Sequence, residues 1–110
     1  MRVSIDHVVY LVYDLDEAAA RIGAALWVTF PVGGSHPGGT ANKVCAFEDL
    51  TYVELVAAVP GSPIADRVAR SLAERGEHIV RWAVRCAPED IDAVADRLGL
   101  ATERGGVERD

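Results

Sequence analysis

The chain has 110 residues, half of them apolar and a quarter charged, with 17 acidic against 11 basic residues and a formal net charge of −6. That is one globular domain with enough apolar content for a core, and its scattered bases argue against nucleic acid or an anionic membrane as partner. No apolar run approaches the ~18–20 residues of a membrane span, and the N-terminus lacks a signal-peptide layout, so a cytoplasmic protein is expected.

Residues 2 to 12 alternate as a strand, with Val3, Ile5, Val9 and Leu11 on one face together with His7. Asp14 and Glu17 have capping-box spacing, and Leu15, Ala18, Ala19, Ile22 and Leu26 recur at helical intervals, which predicts a helix over about 15–26. Trp27 to Val32 reads as a short strand, and GGSHPGG at 33–39 as a loop with unusual backbone freedom. Strands follow at about 40–48 and 51–58, joined tightly through Glu48-Asp49-Leu50 as a hairpin.

Residues 59–63 break the pattern. Ser62 is the expected N-cap and Pro63 the first position of a helix through Ile64, Val68 and Leu72, stopped by Gly76. A strand is expected at 78–86. Pro88 opens a third helix with Ile91, Val94, Ala95 and Leu98 on one face and Gly99 at its end. The last eleven residues read as a turn and an unfinished strand. Cys45 and Cys86 form no C-x-x-C or zinc pattern and read as small reduced side chains, with a disulfide between them left open. The second β-α unit echoes the first: Asp90-Ile91-Asp92 occupies the place of Asp14-Leu15-Asp16.

The segments IDHVVYLVYDLDEAAARI, GGSHPGGTANKV and TYVELVA resemble a glyoxalase-like domain of the vicinal oxygen chelate superfamily. The likeness is strong over residues 3 to about 58 and loose over 79 to 99. It implies an α+β fold: a βαβββ module at 1–58, a linking helix at 59–77 and an incomplete second module at 78–110, together one compact domain. In that superfamily two modules, from one chain or two, curve around a cleft holding a divalent metal. The ligands are a His or Gln from each module's first strand and a Glu from each last strand. His7 matches the first and Glu54 the second; counting back from Asp90 as His7 lies from Asp14 reaches Ala83, which cannot be a ligand.

The residues support part of this directly. In a βαβββ sheet the first and last strands are neighbours, so His7 and Glu54 lie side by side on an apolar surface. A carboxylate there needs a metal, a proton or a partner, and imidazole with carboxylate suits first-row divalent ions. A hydrogen-bonded core His and an edge Glu in water are the blander alternative. His36 is either a donor from a closing loop or an incidental exposed side chain. Thr40 and Asn42 either reach the cleft as ligand contacts or satisfy the loop backbone. Arg81 is an anion-binding group or a surface strand residue. Tyr10, Tyr13, Trp27 and Trp82 read as core or interface aromatics, and no Ser/His/Asp set is present.

Three functions remain open. One is a metal-dependent lyase or isomerase acting on a small carbonyl or hydroxy-acid compound, with His7 and Glu54 as ligands, Glu54 as catalytic base, and the site shared across a homodimer. The others are a metal-free small-molecule-binding module and a truncated relative without activity.

Overall fold

The computed structural model describes residues 2–102 and 108–109. In chain order the elements are β1 (Ser4–Leu11), α1 (Leu15–Leu26), β2 (Val32–His36), β3 (Thr40–Ala46), β4 (Tyr52–Ala58), α2 (Ala65–Arg75), β5 (His78–Arg85), a 3-10 turn (Pro88–Asp90), α3 (Ile91–Leu98) and β6 (Glu108–Arg109). The strands form one mixed sheet in the order β5-β1-β4-β3-β2-β6. β1 pairs parallel with β4, placing His7 beside Tyr52 and Val9 beside Glu54. The neighbour pairs β1/β5, β3/β4, β2/β3 and β2/β6 are antiparallel.

Strand alternation sends successive side chains to opposite faces, and the two faces have different covers. On one, α1 packs Leu15, Ala18, Ala19 and Ile22 onto Val12, Leu55 and Ala57. Val12, Ala18 and Leu55 are wholly buried, and each fully buried Val or Leu contributes roughly 1.5–3 kcal/mol. On the other face α2 sets Leu72 and Val68 over Val9, Leu11 and Val56. His7 and Glu54 share this face, beside that cluster.

Helix α1 starts as the sequence predicts: the Asp14 carboxylate accepts from the Glu17 amide at 2.8 Å. It ends at Trp27, whose φ of 56° is left-handed. Trp27 is therefore neither strand nor core but 93% exposed. Trp82 and Tyr13 are exposed as well, while Tyr10 packs in the core. Both thiols are free, Cys45 buried and Cys86 half-buried.

The expected strand at 27–32 is absent; the strand begins at Val32 and runs through the segment read as a loop. Glycines disfavour strands intrinsically, yet Gly33 and Gly34 pair with Lys43 and Asn42. Tertiary pairing overrides local preference here. The loop shrinks to a turn closed by the Gly39 amide on the His36 carbonyl at 3.1 Å. Gly39 has a φ of +99°, and a Cβ there would lie 2.8 Å from that of Ser62, so both conformation and space demand glycine.

Ser62 is not the N-cap. The second helix begins at Ala65 behind Ile64, without a side-chain cap; Ser62 accepts the Ala65 amide through its carbonyl instead. The third helix follows Pro88 and ends on left-handed Gly99 as expected, but Ile91 and Leu98 of its apolar stripe are exposed. Of the expected terminal strand, 103–107 and 110 lie outside the described residues, while 108–109 pair with Gly34 and Ser35. Among the described residues no helix is long and apolar enough to cross a membrane.

Candidate functional site

On the α2 face, beside the Val9–Leu11–Val56 cluster, four polar side chains meet: His7, His36, Asn42 and Glu54. Glu54 is 5% exposed and Asn42 2% exposed, so the carboxylate is out of water and needs partners. Oε2 accepts from Asn42 Nδ2 at 2.9 Å and from His36 Nε2 at 2.9 Å. The His36–Asn42 approach of 3.3 Å joins two nitrogens that both donate to that oxygen, so it is proximity and not a bond.

Burial pushes the Glu54 carboxyl up, but the hydrogen bonds from Asn42 and His36 and the electrostatic influence of His36 and His7 outweigh it. Its pKa lies below the ordinary carboxylate value.

His7 approaches the other oxygen. Its Nε2 stands 3.9 Å from Glu54 Oε1, too far for a hydrogen bond. Its Nδ1 lies 2.7 Å from Asp6 Oδ2, and its ring stacks on Tyr52 with centroids 4.3 Å apart and planes 8° apart. The β1/β5 register slips between Ile5 and His7. Such a bulge re-aims a side chain, here bringing the Asp6 carboxylate to the imidazole next to it. Nδ1 is thus engaged by Asp6, and Nε2 is the ring nitrogen turned toward Glu54.

Two ligands about 2.0–2.2 Å from one ion stand roughly 3–4 Å apart, so His7 Nε2 and Glu54 Oε1 fit as a pair of donors. The Asp6 contact is the outer support that metal-binding imidazoles ordinarily have. Among the described residues no three His, Cys, Asp or Glu side chains are grouped to hold an ion. Opposite His7 on β5 stands Ala83, the residue that the spacing from Asp90 also reaches. The described residues thus bring together two of the four ligand positions that the resemblance implies.

Of the residues expected from sequence, His7, His36, Asn42 and Glu54 converge. Thr40 shares their face opposite His36 but makes no side-chain hydrogen bond to them among the described residues. His36 sits at a strand end and not in an open loop. Asp6 and Tyr52 are additions. Alternation placed Tyr52 on the Glu54 face, but only the β1/β4 register reveals its contact with His7. A cavity of about 630 Å³ lined by Gly23, Trp27, Val28, Pro31, Val44 and Cys45 lies at the far end of α1 and includes none of these four.

A family profile described as a glyoxalase-like domain matches residues 5–109. The chain belongs to that family. The fold is that of the vicinal oxygen chelate superfamily, as its structural relatives also show. A methylmalonyl-CoA epimerase from Mycobacterium tuberculosis superposes with a TM-score of 0.66 and 28% identity, over 86% of this chain and 61% of that one. A hypothetical protein from Bacillus halodurans gives 0.66 and 19%, over 88% and 70%. A Streptomyces coelicolor methylmalonyl-CoA epimerase in complex with 2-nitronate-propionyl-CoA gives 0.61 and 22%, over 86% and 70%. The chain therefore spans between about three-fifths and seven-tenths of these relatives. No curated protein matches it.

Proposed function

We propose that this glyoxalase-like domain binds a small carbonyl or hydroxy-acid compound over the His7–Glu54 face and shifts a proton at the carbon next to the carbonyl. The observation that carries the reading is the 3.9 Å approach of His7 Nε2 to Glu54 Oε1, with Asp6 fixing the imidazole from behind. His7 and Glu54 would hold a divalent ion, which supplies Lewis acidity toward a carbonyl oxygen when bound. A second copy of the chain, related by a two-fold axis, completes the ligand set that Ala83 leaves short.

The chain's own groups then divide the work. Glu54, held below the ordinary carboxylate range, is better suited to ligation than to proton abstraction. Its catalytic role runs through His36, hydrogen-bonded to it and partly open to solvent; the pair takes the proton and returns it. Asn42 keeps Glu54 oriented, and the buried aliphatic floor of Val9 and Val56 limits water. The epimerase names of two structural relatives make methylmalonyl-CoA the first compound to try.

Native mass spectrometry of the protein purified without chelator tests the ion and the dimer together. The expected species is a dimer carrying metal that His7→Ala loses. Deuterium incorporation from D2O beside the substrate carbonyl, followed by NMR, tests the chemistry. A metal content unchanged in His7→Ala would end the ligand assignment.

A second reading, a metal-free binding module, is favoured by the mutual engagement of Glu54, His36 and Asn42. Ligand binding undiminished by EDTA, in a protein that carries no metal, selects it.

A further inference from the structure

The sheet carries three basic side chains on β1 to β5: Lys43, Arg81 and Arg85. Two have structural duties. Lys43 lies 3.1 Å from Asp16 of α1. Arg85 donates to the Asp49 carbonyl at 2.9 Å and the Leu50 carbonyl at 3.4 Å, tying the β3/β4 turn to β5. Arg81 has no hydrogen bond or ion pair among the described residues, although acidic side chains outnumber basic ones in this chain.

Its register is informative. Arg81 pairs with Val9 across β1/β5, and Val9 pairs with Glu54 across β1/β4. The three stand abreast on the same face, with Val9 buried between the two charged residues. Adjacent strands lie about 4.8 Å apart, so the Arg81 and Glu54 backbones are separated by roughly 10 Å, a distance that the long arginine side chain shortens. A guanidinium there has the fork that pairs with a carboxylate or phosphate.

We infer that Arg81 determines specificity by binding an anionic group of the substrate, while the substrate's carbonyl end lies at His7 and Glu54. This rests on the reading of that face as the binding face, and it narrows the substrate class to carbonyl compounds bearing a carboxylate or phosphate a few bonds from the reacting carbon.

The test uses levulinate and its methyl ester, which share a ketone and differ in the anion, titrated at neutral pH into the full chain with amide NMR shifts as readout. The expected result is a preference for levulinate of about tenfold, the size of one charge-assisted contact. Arg81→Gln should abolish the preference and leave ester binding unchanged, and Arg81→Lys should restore part of it. Arg97→Gln, a charge-matched change on α3, should leave it intact.

A preference that survives in Arg81→Gln, or that Arg97→Gln removes equally, overturns the role of Arg81 while the binding face stands. Failure of both probes to shift β1 and β4 amides in any variant removes the binding face itself, and this inference with it.

Discussion

The Asp6 carboxylate lies 2.7 Å from Nδ1 of His7, its neighbour in sequence, on a strand where adjacent side chains ordinarily point apart. The slipped register of β1 against β5 makes this possible. The site's imidazole is therefore set by a backbone irregularity as much as by its own sequence position.

Removing that support should weaken any ion held by His7. Asp6→Ala is expected to lower divalent-metal affinity about 10- to 100-fold, measured by competition with a chromophoric chelator. Unaltered affinity would mean that Asp6 serves only the fold.

The Asn42–Glu54 contact is a buried hydrogen bond to a charged group. Asn42→Ala should destabilise the domain by about 1–3 kcal/mol in urea unfolding at neutral pH and bring the Glu54 pKa back upward. A loss well under 1 kcal/mol would show that His36 alone suffices.

Acid should weaken the fold through the same residue. A carboxyl whose folded pKa lies below its unfolded value adds stability that is present above the unfolded value and lost as pH falls through the folded one. Glu54 is such a group. The decline in urea midpoint below about pH 5 should be shallower in Glu54→Gln than in the wild type. Parallel curves would assign the acid sensitivity elsewhere.

Gly39→Ala should cost roughly 1–3 kcal/mol, because its φ is positive and Ser62 occupies the space of a new Cβ. Thermal melts of Gly39→Ala and Gly38→Ala separate this from generic loss of glycine, since a Cβ at Gly38 meets nothing within 4 Å. Equal melts would refute the steric argument.

Much of this was legible in the residues. The strand alternation around His7 and Glu54 placed both on apolar faces, and the order of elements made their strands neighbours. The helix starting at Asp14 announced itself through its cap. The strand at Val32–His36 did not, because Gly33 and Gly34 carry no strand preference and gain their conformation only by pairing with β3. For the same reason His36 read as a loop residue, although its strand delivers it to Glu54. The Asp6 and Tyr52 contacts with His7 depend on a bulge and a cross-strand register, and neither leaves a local mark in the sequence.

The parallel pairing of β1 with β4 also bears on how the molecule forms. His7 and Glu54 meet only when the first strand pairs with β4, which requires residues through Ala58 to be in hand; β5 then closes the other edge of β1. Long-range pairings of this kind are slow compared with the local β2–β3–β4 meander. During synthesis the amino-terminal strand must wait for β4 to emerge before its parallel pairing can form. The His7–Glu54 pair then forms only once β4 is complete, and a nascent chain stalled before Tyr52 would hold β1 without its parallel partner.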